Sequence, residues 1–246
     1  MIVSLWKVTR YTHPSPSHLT GVSVYETSLY LSILFDSPKQ TTSITPHLFP
    51  PESDPKNANL SLVLQPSIFS VLCSLLHHLV AYYPSQSQYH QHLRSITEGI
   101  LPRDSELFLW FSSLTKTLRM RNYARLAVLG NQSGISNVIS QGLKTSNSQI
   151  VHSNLAHDAV LCLMDALRQK AAGTAWGIIR SAYREISTEK AAEEVTRVWL
   201  VRSLFLESVY EGNRSIGAVE WLEGKVAVGY VRKKEGHERW IVCKAR

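Results

Sequence analysis

The feature that most constrains the fold is a change of period in about the last hundred residues. From about Ser153 to Leu206, apolar residues recur at helical spacing, as in LAHDAVLCLMDALRQKA and VTRVWLVRSLFLES. From about Lys225, in KVAVGYVRKKEGHERWIVCKA, the repeat shortens to two. Spacings of three and four share a helix face, whereas a period of two alternates the faces of a strand. Val226, Val228 and Tyr230 alternate with Ala227, Gly229 and Val231. The turn KKEGHE holds Gly236, which tolerates positive φ, and Trp240 and Val242 alternate with Ile241 and Cys243 on the way back. A lone two-stranded ribbon is marginal in water, so this hairpin has to pack on the helices before it. The expected fold is mostly α: a helical-repeat array capped by a C-terminal winged-helix module with a β-hairpin.

The helices are read along the chain. Residues 22–35 are apolar, with Val22, Tyr25, Leu29 and Ile33 at helical spacing. Five prolines in 36–59 predict a loop with at most a helical turn at 43–48, because proline lacks the amide donor. Residues 66–83 read as a buried helix between Pro66, in its first turn, and Pro84, and 84–93 as a polar loop. Asp104 is the expected N-cap of a helix over 104–119 with a stripe of Leu107, Trp110, Phe111, Leu114 and Leu118. A further segment covers 121–130 and stops at Gly130, and the Ser/Asn/Gln-rich stretch 131–150 reads as a flexible connection. Two helices follow, about 153–171 and, after Gly173, one ending near Ile186. Another begins at a Thr188 cap, buries Val195, Val198 and Trp199, and extends toward Val209. The expected organisation is an irregular leader with one apolar helix (1–60), a helical-repeat region (61–186) and the winged-helix module (187–246).

Charge is distributed unevenly. The net charge is +7, yet residues 1–100 carry five Lys/Arg and five Asp/Glu, so the excess lies in the rest of the chain. Two clusters stand out. One is Lys225, Arg232, Lys233, Lys234, Arg239 and Lys244 around the hairpin, tempered by Glu235 and Glu238. Such a wing can track phosphates or bind an acidic partner, and edge lysines also discourage strand-to-strand aggregation. The other is a secondary basic face of Lys116, Arg119, Arg121 and Arg125, in a stretch without acid from Glu106 to Asp158. Residues 121 and 125 are expected on one helix face, and a solvated surface is favoured there over a binding site.

The signals for chemistry are weak. His77, His78, His90 and His92 lack the spacing of a tetrahedral site, with His77 and His78 directed to different sides of a helix, so no metal is expected. His157 and Asp158 diverge by about 100° on a helix, and a first-turn place at the helix dipole accounts for Asp158. There is no GxSxG elbow, phosphate loop or HExxH, and GNQSG at 130–134 follows a helix and reads as a loop. The chain is expected to have no catalytic residues and no cofactor; an enzyme of unfamiliar type would need a deep pocket gathering polar groups of shifted pKa. Cys73, Cys162 and Cys243 are odd in number and far apart, as buried thiols of a reducing nuclear or cytoplasmic compartment would be. No apolar run reaches the ~18–20 residues of a membrane helix. The first 25 residues lack acids but carry only Lys7 and Arg10, too little arginine for a transit peptide.

The segments RNYARLAVLG, LAHDAVLCLMDALRQKAAGTAWGIIRSAYREI and VTRVWLVRSLFLES resemble the core of the Sac-three/GANP family of the PCI class, over about residues 104–246. The matching positions are Asn122-Tyr123, Arg168 with Ala171, Ala182-Tyr183, and Leu200 to Phe205. The chain departs from the family at Ala124-Arg125-Leu126, where Phe-Phe is usual, and in the connection VYEGNRSIGAVEWLEG. The resemblance implies a noncatalytic scaffold that stacks helical pairs under a winged helix. It implies assembly with a second PCI protein and a small acidic subunit, and RNA as a candidate ligand in mRNA export or processing. Two alternatives are a subunit of the proteasome-lid, signalosome or initiation-factor type and a winged-helix DNA-binding regulator. The latter needs an exposed polar helix before the wing, and 195–209, with Arg197 and Arg202, is mostly apolar.

Overall fold

The computed structural model describes residues 18–50, 66–145, 153–189, 193–234 and 237–243. These form ten helices and one small antiparallel sheet. The helices are α1 (His18–Leu34), α2 (Pro38–Leu48), α3 (Ile68–Ala81), α4 (Ser87–Ser95), α5 (Glu106–Arg119), α6 (Tyr123–Leu129), α7 (Gln132–Thr145), α8 (Ser153–Ala182), α9 (Glu193–Leu204) and α10 (Ala218–Ala227). The strands are β1 (Glu185–Ser187), between α8 and α9, and β2 (Val231–Lys233) and β3 (Arg239–Val242), after α10. Among the described residues no helix is long and apolar enough to cross a membrane.

α8 organises the chain. Ala156, Ala159, Val160, Leu163, Met164, Leu167, Ala171, Ala175, Trp176 and Ile179 are buried at spacings of three and four along its length. That stripe crosses Gly173 without a break, so the two helices expected here are one. An isolated glycine inside a helix costs only about 1 kcal/mol, less than continued burial of the stripe returns. The first part of α8 packs on α1 and α3 in a large core, while Ala175, Trp176 and Ile179 enter a second core with Ile186, Leu200, Leu204, Leu222, Val231, Trp240 and Val242. The second core therefore starts in the chain at Ala175, ahead of the boundary expected at 187.

Several other expectations are corrected. The loop over 36–59 contains α2, because Pro38 sits in its first turn, where the missing amide costs nothing, while Thr41, Ile44, Thr45 and Leu48 turn inward. Residues 51–60, the end of the leader expected over 1–60, lie outside the described residues. The loop over 84–93 holds α4, which buries Tyr89. The flexible stretch 131–150 is helical over α7: Asn131 accepts the amide of Gly134 (2.6 Å), and Ile135, Val138 and Ile139 form an inward stripe among polar neighbours. Ser105, not Asp104, caps α5 by accepting from the Phe108 amide (3.2 Å). On α9 the buried residues are Leu200 and Leu204; Val195 and Val198 face solvent, and the helix stops short of Val209.

The terminal hairpin is shorter than its alternation suggests. Val226 lies in α10, whose Ala218 and Leu222 are buried one turn apart, with Glu220 in the first turn and Lys225 in the last to match the helix dipole. Gly229 then reverses the chain at φ +78°, and pairing begins only at Val231. The return strand alternates as expected, and it is Trp240 and Val242 that face inward around exposed Ile241. Gly236 lies outside the described residues. A third strand completes the sheet: β1 pairs with β3 (Ile186 opposite Trp240), giving the order β1-β3-β2. Thr188 caps none of the described helices. Its buried hydroxyl donates to the Glu238 carbonyl (3.1 Å) and accepts from the Trp240 indole (2.9 Å).

Candidate interaction surface

Of the two basic regions that the sequence predicts, the secondary one is the more coherent. α5 ends in a Schellman arrangement: the Arg121 amide donates to the Leu118 carbonyl (3.1 Å) and the Asn122 amide to that of Thr117 (3.0 Å). Arg121 occupies the left-handed position at φ +54°, where glycine is the usual residue. Asn122 then caps α6 by accepting from the Arg125 amide (3.0 Å). Arg121 therefore precedes α6 instead of sharing a helix face with Arg125. The corner still gathers the cations, because the Arg125 guanidinium reaches Ser113 of α5 (3.5 Å), one turn before Lys116. Lys116, Arg119, Arg121 and Arg125 are all exposed, and among the described residues none forms an ion pair with an acid. Met120 lies exposed among them.

The expected wing cluster is divided. Arg232 and Arg239 share the outer face of the sheet with Glu185 and Ile241, whereas Lys233 lies opposite Trp240 on the inner face, its Nζ 5.1 Å from that ring. Arg239 is compensated: Nε donates to Glu189 Oε1 (2.7 Å) and another nitrogen lies 3.4 Å from Glu185. The Arg239 hydrogen bond holds the Glu189 carboxyl below its usual range and raises Arg239 above its own. Lys234 is exposed beside the turn, and Lys244 lies outside the described residues. Lys225 does not belong to the hairpin; it sits on α10 with Nζ 4.9 Å from the Trp221 ring. Among the described residues, Arg232, Lys233 and Lys234 at the sheet form no ion pair with an acid, although the charge of Lys234 also acts on Glu189.

Sequence reasoning missed two polar anchors. Asp165, buried on α8, accepts from Ser208 Oγ (2.9 Å), Asn213 Nδ2 (2.7 Å) and the Val209 amide (3.3 Å), and so pins the crossing between α9 and α10. A carboxylate inside the apolar run CLMDALR, three residues before Arg168, was the available signal. Arg180 donates through two nitrogens to the Cys243 carbonyl (3.1 and 2.9 Å) and stacks on Tyr230 at 4.3 Å, tying the end of α8 to the last strand.

The histidines make a packed seam. The rings of His78 and His92 lie 4.6 Å apart and those of His77 and His78 5.8 Å apart, so consecutive residues do meet, while His90 stays exposed. His77 Nε2 is paired with Thr42 Oγ1 (3.1 Å). Desolvation lowers His77 to about 4 and His92 to about 3, and also lowers His78, so the seam is neutral. Among the described residues no group of three or more His, Cys, Asp or Glu is placed to hold a metal. Asp158 lies beyond the first turn of α8, which contains no acid, so the dipole account of it fails. Cys73 is buried and its thiol pushed up by desolvation; Cys162 and Cys243 are half-buried.

No family model, curated protein or solved structure matches this chain.

Proposed function

We propose that this chain is a noncatalytic scaffold subunit of the PCI type, in which a helical array presents a winged-helix module to protein partners and to RNA. The observation that carries this reading is the growth of the terminal module out of α8. The order from there is helix, β1, α9, α10, β2, β3, with the first strand paired to the last. A winged helix is built in that order, and a helix shared by both cores makes array and module one support. The resemblance to the Sac-three/GANP family supports a role in mRNA export or processing. Its partners would then be a second PCI protein and a small acidic subunit, in the nucleus or cytoplasm.

The DNA-regulator reading is disfavoured by α10. It is the helix before the hairpin, and it carries Glu220 and Glu223 against a single Lys225. Two carboxylates on that helix would be repelled by duplex phosphates.

The test is binding of a single-stranded RNA 20-mer at 50 and 200 mM salt, by fluorescence anisotropy. It compares the native chain with Arg232/Lys233/Lys234→Ala and Lys116/Arg119/Arg125→Ala variants. Arg239 is left in place because it holds β1 to β3. Binding weakened in either variant, with the salt slope reduced by about 0.7 for each phosphate no longer neutralised, supports RNA as a ligand. Absence of salt-dependent binding by the native chain removes RNA from the proposal and leaves the protein scaffold.

A further inference from the structure

A cavity of about 340 Å³ lies between the second half of α8, the crossing over 204–216 and α10. That is toward the lower end of the roughly 300–1,000 Å³ of small-molecule pockets. Its aromatic wall is Trp176 and Trp221, packed edge to face with centroids 4.8 Å apart and planes at 89°. Phe205 and Ile216 add apolar surface.

The polar groups around this space are unbalanced. Asp165 receives Ser208, Asn213, Gln169 and the Val209 amide, and faces Arg168 at 3.7 Å. The Ser208 hydroxyl lies within hydrogen-bond distance of Asp165 and of the Tyr210 carbonyl, its single proton serving one of them at a time, and accepts the Tyr210 amide. Donors remain. Lys225 has no acid partner among the described residues, and Arg214 engages Glu220 through one nitrogen (3.0 Å) at 79% exposure, leaving the rest of its fork open. The indole nitrogen of Trp176, a residue only 6% exposed, has no hydrogen-bond partner among the described residues.

We infer that this cavity binds an aromatic carboxylate, with its ring against Trp221 and its anion between Lys225 and Arg214. Aromatic rings prefer such edge and offset contacts, and hydrogen bonds to an ionised acceptor are the strong ones. The chemistry has two sources, a free aromatic acid or an aromatic residue beside an acidic one in a partner chain.

The test uses the full chain and calorimetric titration with 2-naphthoate, its neutral isostere 2-naphthamide, and a blocked hexapeptide, acetyl-Gly-Ser-Phe-Glu-Ser-Gly-amide. The carboxylate is expected to bind about tenfold more tightly than the amide, the scale of one charge-assisted contact. Lys225→Gln, a rim change that leaves the core intact, should erase that preference without abolishing amide binding. Trp221→Leu, checked for helicity by circular dichroism, should weaken both. Hexapeptide binding tighter than naphthoate assigns the site to a partner chain, and weaker binding assigns it to a free acid. Failure of naphthoate to bind, equal binding of acid and amide, or a preference that survives Lys225→Gln overturns the inference.

Discussion

Asp165 and Arg168 stand one turn apart on α8, both buried, with their charged atoms 3.7 Å apart and no hydrogen bond between them. Burial lowers the Arg168 pKa, and the charge of Asp165, with that of Glu207 behind it, works against that, so these carboxylates keep a buried guanidinium tolerable. The Asp165 carboxylate also receives Ser208, Val209 and Asn213, and thereby fastens the α9–α10 crossing to the array. One side chain serves both functions.

Asp165→Ala removes the counter-charge and leaves those donors unmet. The expected loss is about 3–5 kcal/mol, the range for breaking one partner of a buried pair. Asp165→Asn, which retains an acceptor oxygen, should lose less. Urea denaturation of the two variants checks the order; equal losses would assign the whole effect to the charge and contradict a role for the accepted hydrogen bonds.

Arg121 holds a left-handed conformation that glycine adopts without penalty. Arg121→Gly should therefore raise stability by up to about 1 kcal/mol, whereas Arg121→Ala, which keeps a Cβ, should not. If the corner binds an anionic chain, the glycine variant gains stability and loses affinity together. Thermal denaturation beside RNA titration separates the two effects.

The histidine seam predicts a pH dependence with a definite sign. His77, His78 and His92 have folded pKa values below the ordinary 6.5, near 4 for His77 and 3 for His92. As pH falls from 6.5 toward 4 the unfolded chain takes up more protons than the folded one, so stability declines through that window. The slope is at most about 1.4 kcal/mol per pH unit for each group, and less for the partly exposed His78. Above 6.5 the seam contributes its full stability. Denaturation midpoints for the native chain and His92→Gln, measured at pH 7 and pH 5, should differ more in the native chain.

Thr188→Val keeps the shape of the side chain and deletes the oxygen that receives the Trp240 indole. Both residues are buried, so the indole N–H would be stranded at a cost of about 1–3 kcal/mol. Amide exchange should quicken at Thr188, whose own amide is bonded to Glu238 across the β1–β3 seam.

The sequence was most legible where one repeat ran long enough to average out its exceptions. The stripes of α1 and α5, the buried helix α3 and the alternation of Trp240 and Val242 with Ile241 could be read from the sequence; which side of the strand faces inward could not. The errors fell where composition imitated another state. VAVGYV alternates like a strand, yet its first half closes α10, because Ala218 and Leu222 already had a core to enter. The polar composition of 131–145 concealed a three-residue stripe, and Gly173 looked like a stop inside a helix whose burial continues past it. Of the candidate sites, the corner cations were read as a group. The wing cations were too, but strand faces and Glu189 divide them.

By itself the sequence determined a mostly helical chain that ends in a hairpin, with an excess of positive charge in its C-terminal portion. Those properties follow from local periodicity and composition, which neighbours in the chain are enough to establish. Tertiary structure alone decided that β1 would complete the sheet, that Asp165 would hold the α9–α10 crossing, and that Lys225 would face Trp221 instead of the wing. Each of these joins residues remote in sequence or turns on which face a core claims, and their energies depend on burial and partner geometry that exist only once the two cores have closed on α8.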